Sequence, residues 1–234
     1  MEANWRRTRA MHRVKRLTNP KIYVIGCGGT GSHVINNLVD VHIAMVNLGH
    51  AGIDVIAHDG DNVSFDNIGR QAFYLQDVGI QKSMALIERI NLHYGVEWEY
   101  HGNVGKNEWL RDADIVVSCV DTKASRKLIS TANIEDDTYI IECGNARASG
   151  QIILGQKKGD LPNPYDEYPE LTQGREPKGE GCLDPYYKQD LPVNRQVAVY
   201  VQQLIWNLLR KHEISHRGVF FDLSKFTSNG VQAK

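Results

Sequence analysis

Four glycines, Gly26, Gly28, Gly29 and Gly31, stand between the apolar run KIYVI and a helical pattern. Three of them fit the spacing G-x-G-x-x-G. The first glycine allows a sharp turn, the second admits a phosphate against bare backbone, and the third lets a helix pack closely on a strand. Because backbone N–H groups at a helix N-terminus bind phosphate, the turn predicts a nucleotide site. A glycine turn that serves packing alone is the alternative.

Two acidic residues, Asp59 and Asp61, stand at the end of the second apolar run, GIDVIAHD, and just beyond it. An acid at this position commonly accepts hydrogen bonds from the ribose hydroxyls of an adenine nucleotide. Asp59 is therefore the predicted ribose ligand, and Asp61 is a second candidate for contacts with substrate or with the next loop. The alternative for Asp59 is a solvated carboxylate that caps the strand.

The loop after these acids offers Asn67, Arg70 and Gln71, and Lys82 begins the next predicted helix. Two cations with amides beside a phosphate turn exceed what a dinucleotide needs. They suit a triphosphate, whose charge must be neutralised while it is attacked. Surface salt bridges are the alternative explanation for the same residues.

Asp121 ends the apolar run DIVVSCVD, near the same expected edge of the sheet. A carboxylate beside a triphosphate would help to hold Mg²⁺, which prefers one or two carboxylates together with phosphate oxygens and water. Asp121 is therefore the predicted magnesium ligand. The alternative is that it caps the following helix, and the two roles are compatible.

Strand and helix patterns alternate along the chain, which indicates an α/β, Rossmann-like fold with a mainly parallel central sheet and helices on both faces. In such sheets ligands lie outside the carboxyl ends of the strands, where the glycine turn and the acids are expected. We expect one domain over residues 1–234, with a basic N-terminal segment over residues 1–20. A long crossover loop over residues 159–190, rich in proline and glycine, precedes a last helix over about 191–212.

Composition narrows the class of protein. A hydrophobic fraction of 41% with 24% charged residues is typical of a soluble globular protein, and a net charge of −1 provides no attraction to nucleic acid or to an anionic membrane. The apolar runs are too short to span a membrane. The four cysteines form no C-x-x-C pair, which disfavours structural zinc and favours a reduced, cytoplasmic protein.

The combination of motifs resembles the ThiF/MoeB family, which includes the ubiquitin-activating enzymes. The segments GCGGTG, DGDNVSFDNIGRQAF, DVGIQKS and CVDT follow the order and spacing of that family over residues 22–121. Agreement is weaker through ECGNARASGQIIL. The carboxyl half, in KQDLPVNRQVA and RGVFFDL, resembles the compact ThiF-family members of the PRTRC system.

The resemblance implies ATP-dependent adenylation of the C-terminal glycine of a ubiquitin-like or sulfur-carrier protein, in a homodimer. It implies that Asp59 holds the ribose, that Asn67, Arg70 and Lys82 bind phosphates, and that Asp121 holds Mg²⁺. The chemistry needs electrostatic positioning, because cations stabilise the charge that builds during attack on the α-phosphate. It needs no general base, because the attacking carboxylate is ionised at neutral pH.

Two departures from the family pattern affect the predicted site. The paired C-x-x-C zinc motifs of many relatives are absent, so no zinc is expected. In the family an arginine near the N-terminus reaches the partner's nucleotide; here the candidates are Arg6, Arg7, Arg9 and Arg13, without the usual surrounding pattern. The alternative is a basic helix that docks on its own domain.

Cys182 lies in the predicted crossover loop, between GEG and LDP. In relatives that transfer the activated carboxylate to a thiol, a loop cysteine after the adenylation half forms a thioester. Cys182 is the candidate for that role, and an incidental or structural thiol is the alternative.

Two further functions compete with adenylation. An NAD-dependent oxidoreductase would use the glycine turn and Asp59, but it would leave Asn67, Arg70, Lys82 and Asp121 without a task. A non-catalytic ThiF-like subunit that pairs with an active partner would not need the cations and the acids together.

Overall fold

An eight-stranded mixed sheet forms the centre of the computed structural model, which describes residues 11–102, 110–174 and 189–233. The strands, in chain order, are β1 (His12–Arg13), β2 (Lys21–Ile25), β3 (Asp54–His58), β4 (Glu99–His101), β5 (Ile115–Ser118), β6 (Tyr139–Asn145), β7 (Ser149–Gln156), β8 (Glu213–Ile214), β9 (His216–Asp222) and β10 (Thr227–Gln232). Across the sheet the order is β10-β9-β7-β6-β5-β2-β3-β4, and β1 pairs with β8 separately.

The half of the sheet that carries β4, β3, β2, β5 and β6 is parallel, as predicted. Strands β7, β9 and β10 extend it in antiparallel fashion. The prediction of a mainly parallel sheet did not include this antiparallel extension, and β10 was not predicted as a strand. The residues of β10, TSNGVQ, are almost all exposed, so this strand lacks the apolar alternation that marks a half-buried strand.

Helices cover both faces of the sheet, which confirms the predicted fold class. The described residues form α1 (Gly29–Asn47), α2 (Lys82–Tyr94), α3 (Lys123–Ser130), α4 (Pro164–Glu167) and α5 (Pro192–Arg210). Helices α1, α2 and α5 share one buried layer with Ile22 and Val24, whereas Tyr23 and Ile25 point into the layer beneath α3 and α4. Among the described residues, no helix combines the length and the apolar character needed to cross a membrane.

The predicted crossover loop is partly helical. Pro164 occupies the first turn of α4, and the Asn163 side chain accepts a hydrogen bond from the Tyr165 N–H group (3.0 Å), so the local sequence caps a helix within the loop. Glu167 of α4 binds Arg217 of β9 through both carboxylate oxygens (2.6 Å each). This ion pair attaches the first part of the crossover to the sheet; residues 175–188, with Cys182, lie outside the described residues.

The described part of the basic N-terminal segment lies on its own domain as a strand, and not as the helix considered above. The ring of His12 in β1 lies within hydrogen-bond distance of the Tyr139 hydroxyl (2.9 Å), which also accepts from the Lys15 N–H group (3.2 Å). Because Tyr139 is the first residue of β6, this segment lies at the amino-end edge of the parallel strands. Arg13 lies there too, whereas Arg6, Arg7 and Arg9 lie outside the described residues.

Candidate nucleotide-binding site

A cavity of about 630 Å³ opens at the carboxyl ends of the parallel strands. This is where a doubly wound sheet binds its ligand, and the volume is in the usual range for small-molecule sites. Gly31 and Asn67 do not line the cavity, and Cys182 is outside the described residues. The predicted residues that do line it are Gly26, Gly28, Gly29, Asp59, Asp61, Arg70, Gln71, Lys82 and Asp121.

The glycines of the turn meet three different requirements. Gly26 has a φ of +88°, in the left-handed region that favours glycine, and a Cβ there would lie 2.8 Å from the Cys119 carbonyl oxygen. A Cβ on Gly31 would overlap the Gly26 carbonyl oxygen, so α1 and the turn approach as closely as backbone allows. A Cβ on Gly28 would meet nothing within 4 Å, because Gly28 faces the cavity. No described side chain caps α1, whose first N–H groups stand at this cavity.

We expect alanine substitutions to separate these requirements. Gly31→Ala should lower the free energy of unfolding by about 1–3 kcal/mol, because the added methyl group must displace backbone. Gly28→Ala should keep most of the stability but weaken binding of a nucleoside triphosphate analogue about tenfold or more, because its methyl group points into the cavity that the glycine turn predicts for phosphate. Urea unfolding and calorimetric titration with an ATP analogue measure the two quantities. Equal losses of stability in the two variants would contradict the assignment.

Asp59 holds the turn and the acidic loop together. One carboxylate oxygen accepts a hydrogen bond from the Cys27 N–H group (2.6 Å), and the other accepts from the Asp61 N–H group (2.8 Å). Burial raises the pKa of Asp59, and these two N–H donors act in the opposite direction. Asp59 is therefore not a solvated cap. Because a carboxylate accepts about four hydrogen bonds, each oxygen retains capacity for a ligand hydroxyl.

Lys82 reaches the cavity from the first position of α2. Its ammonium group lies 3.0 Å from a carboxylate oxygen of Asp61, and its backbone N–H group donates to the Asp61 carbonyl oxygen (2.9 Å). The Lys82 side chain is only 10% exposed, whereas that of Asp61 is 77% exposed. The pair therefore holds a cation in the cavity wall while its counter-ion stays in water.

Asn67 acts on the loop rather than on the cavity lining. Its side-chain oxygen accepts a hydrogen bond from the Ser64 N–H group (2.9 Å), and its carbonyl oxygen accepts from the Gln71 N–H group (3.0 Å). These contacts shape the turn that brings Arg70 and Gln71 to the cavity. The side-chain oxygen of Gln71 is buried there without a hydrogen-bond partner among the described residues. A buried acceptor of this kind requires a donor, which a bound ligand or water would supply.

Asp121 is an exposed acid at the cavity, three residues beyond the end of β5. The proposed alternative, that it caps α3, is wrong: Thr122 is the cap, and its hydroxyl oxygen accepts from the Ser125 N–H group (3.1 Å). Within the described chain, the Asp121 carboxylate has no hydrogen-bond or ion-pair partner, and no group of three or more His, Cys, Asp or Glu side chains could hold a metal.

A buried ion pair beside Asp121 was missed by the sequence analysis. The Arg126 guanidinium donates to one carboxylate oxygen of Glu142 (2.7 Å), and the Tyr165 hydroxyl donates to the other (2.7 Å). Burial raises the pKa of Glu142, and Arg126 acts in the opposite direction. The sequence did contain a signal for this ion pair, because Glu142 is the one acid in the apolar strand TYIIECG. A carboxylate buried in such a strand requires a hydrogen-bonding or charged partner.

His58, the residue before Asp59, is among the residues that line the cavity. Its ring stacks on those of Tyr23 (5.8 Å between centroids) and His101 (4.9 Å). Burial, with a smaller contribution from His101, lowers the pKa of His58 to about 4, so the ring is neutral at pH 7. In the segment HDGD, the sequence indicated a role for Asp59 and Asp61 but none for His58.

Comparison with known proteins identifies the family. The model of the ThiF family matches residues 3–231. The chain belongs to the ThiF family. This confirms the resemblance that the motifs indicated.

The curated relatives are larger ThiF-related proteins. The adenylyltransferase and sulfurtransferase MOCS3 of Caenorhabditis briggsae is 30% identical over 156 residues, which are 63% of this chain and 36% of that protein. Subunit 2 of the SUMO-activating enzyme of Dictyostelium discoideum is 28% identical over 145 residues, which are 58% of this chain and 20% of that protein. The chain thus spans about a third or less of these relatives.

Solved structures share the fold at low identity. PaaA is 18% identical with a TM-score of 0.66, over 92% of this chain and 64% of that one. A crystal structure of E. coli MccB with ATP is 20% identical with a TM-score of 0.59, over 93% of this chain and 64% of that one. These likenesses support the Rossmann-like fold of this ThiF-family chain.

Proposed function

We propose that this protein adenylates the C-terminal glycine carboxylate of a ubiquitin-like or sulfur-carrier protein, with ATP as co-substrate. The observation that carries the proposal is that one cavity is lined by the glycine turn, Asp59, Lys82, Arg70 and Asp121. Membership of a family whose relatives are named adenylyltransferases and activating enzymes supports it.

The residues present suit a nucleotide. The open space at Gly28 and the uncapped start of α1 suit phosphate, and the retained acceptor capacity of Asp59 suits ribose hydroxyls. Lys82, Arg70 and Gln71 would contact the phosphates from the facing wall. Asn67 does not line the cavity, so its proposed contribution to phosphate binding is to hold the loop that presents Arg70 and Gln71.

The proposed reaction forms a bond between a carboxylate oxygen of the partner and the α-phosphorus of ATP, and it breaks the bond from that phosphorus to the bridging oxygen. The products are an acyl-adenylate and pyrophosphate. The carboxylate is already ionised, so no proton needs to be removed. Lys82 and Arg70 stabilise the negative charge that moves onto the leaving group.

Asp121 is the proposed magnesium ligand. A single carboxylate suits Mg²⁺, which takes the rest of its ligands from phosphates and water. The ion would supply further neutralisation of the leaving pyrophosphate. The proposal includes no zinc, because the sequence has no C-x-x-C pair.

A homodimer and a cytoplasmic location are also part of the proposal. Arg13 lies at the sheet edge opposite its own cavity, so a nucleotide contact from Arg13 would be with a second copy of the chain. We further propose that the Cys182 thiol, after losing its proton to solvent, attacks the acyl carbon of the adenylate. A thioester forms and AMP leaves, as in relatives that transfer the activated carboxylate to a thiol.

An NAD-dependent oxidoreductase and a non-catalytic subunit remain the competing functions. The oxidoreductase is disfavoured because binding of a nicotinamide cofactor does not require Arg70, Lys82 and Asp121 to line the same cavity. The non-catalytic subunit is disfavoured because Asp59, Asp61, Arg70, Lys82 and Asp121 all line this cavity.

The deciding experiment is exchange of radiolabelled pyrophosphate into ATP. We expect Mg²⁺-dependent exchange with one member of a panel of ubiquitin-like and sulfur-carrier proteins, and none with the same partner lacking its terminal glycine. Asp121→Asn should reduce the rate about 10²-fold without changing the thermal unfolding midpoint. Binding of the correct partner without exchange would contradict adenylation, and equal exchange with the truncated partner would contradict the proposed acceptor.

A further inference from the structure

Asn194, in α5, binds two segments that are distant in sequence, α1 and β6, and also the end of the crossover segment just before α5. It lies in the first turn of α5 and is only 4% exposed. Its side-chain oxygen accepts hydrogen bonds from the Thr30 hydroxyl (3.0 Å) and from the side-chain amide of Asn145 (2.8 Å). Its amide nitrogen donates to the side-chain oxygen of Gln189 (2.7 Å). These partners lie in α1, at the end of β6, and at the end of the crossover segment.

The Asn194 side chain also rests against the backbone of the phosphate turn. A Cβ placed on Gly29 would lie 2.7 Å from its amide nitrogen, so α5 touches the first residue of α1 here. Thr30 receives a further hydrogen bond from Asn145 (3.0 Å), which closes a triangle among the three side chains. The start of α1 is therefore fixed from outside its own helix.

We propose that Asn194 is a positioning residue for the nucleotide, which holds the start of α1 in the place where its N–H groups receive phosphate. The inference rests on the proposed function only in taking the ligand to be ATP. The same side chain binds Gln189, so it also couples the end of the crossover segment to the phosphate turn.

The effect follows from geometry. Helix α1 has no side-chain cap of its own in the described structure. The buried Asn194 amide joins its first turn to α5 and, together with Asn145, to β6. Phosphate contacts depend on donor positions to within a few tenths of an ångström, and a misplacement of about 1 Å costs on the order of 10²-fold in a positioned reaction. A small shift of Thr30 and Gly29 would weaken binding of phosphate while leaving the adenosine end of the site in place.

The test compares two ligands on the full chain. We expect Asn194→Ala to weaken binding of a non-hydrolysable ATP analogue about tenfold or more and to change adenosine binding less than twofold, as measured by calorimetry and competition. Asn207→Ala is the matched control, because Asn207 lies on the same helix away from the cavity, where its side chain accepts a hydrogen bond from Gln203 (3.1 Å). This control should leave both affinities unchanged.

Three results would overturn the inference. Unchanged affinity for the ATP analogue in Asn194→Ala would remove the positioning role while leaving adenylation intact. Equal losses of affinity for the ATP analogue and for adenosine would show that Asn194 only supports the fold and does not position the phosphate turn. A wild-type protein that binds neither ligand would overturn the nucleotide site and this inference together. If Asn194→Ala does not fold, Asn194→Ser, which keeps a short polar group, takes its place under the same criteria.

Discussion

We expect Lys82→Ala to lower the rate of pyrophosphate exchange by about 10²–10³-fold and to leave the fold in place. The loss is large because the Lys82 ammonium group is a buried cation of the cavity wall, and removal of one preorganised charge-stabilising donor typically costs this much. The stability cost is small because Asp61 is 77% exposed, so no buried carboxylate is left without a partner. The ion pair itself is worth about 1 kcal/mol or less.

The exchange rate and the thermal unfolding midpoint of this variant are measured together. Lys82→Arg, which retains the charge, should recover part of the rate. The matched control is Lys158→Ala, because Lys158 forms an exposed ion pair with Asp136 (3.5 Å) and does not line the cavity. A rate within threefold of wild type in Lys82→Ala would show that Lys82 does not stabilise the transition state.

Arg126→Met should have the largest effect on stability. Glu142 is 1% exposed, and without Arg126 its carboxylate stays buried beside neutral donors such as the Tyr165 hydroxyl. Breaking a buried ion pair from one side costs about 3–5 kcal/mol, because the remaining charge must be buried uncompensated or take up a proton. We therefore expect a loss of this size in the free energy of unfolding at pH 8.

The pH dependence of the loss follows from the pKa of Glu142. Burial raises that pKa in the folded protein, so the native state binds the proton more tightly and the free energy of unfolding falls as pH rises through the window above the unfolded value of about 4.3. Arg126 opposes this rise, so its removal raises the pKa of Glu142 further. The difference between variant and wild type should therefore be small near pH 5 and full at pH 8.

Urea unfolding at the two pH values checks this prediction. The double variant Arg126→Met/Glu142→Gln should recover much of the stability at pH 8, because it removes the buried charge. Arg147→Met is the control for loss of an arginine, since that side chain is 78% exposed. A deficit that is equal at both pH values would contradict the assignment of the loss to the Glu142 charge.

Much of the site was predictable from the sequence because its signals are local. The glycine spacing specifies a turn between a strand and a helix, and the acids after the second strand must lie at the same sheet edge, since parallel strands share their carboxyl ends. Asp59, Lys82 and Asp121 line one cavity, at the sheet edge where the sequence led us to expect them; their roles there stay a prediction. The family motifs added that the nucleotide would be consumed rather than recycled, which is still a proposal.

Tertiary structure decided the contacts between segments that no local pattern connects. The Thr30 hydroxyl donates a hydrogen bond to Asn194, although 164 positions separate the two residues in the chain. Arg126 binds Glu142 because α3 packs beside β6. The direction of β7, β9 and β10 and the use of Asn67 as a loop cap likewise depend on packing. Periodicity and glycine spacing determine which elements form. Which buried polar groups become partners depends on the three-dimensional arrangement, because each must find a donor or acceptor wherever the chain brings one.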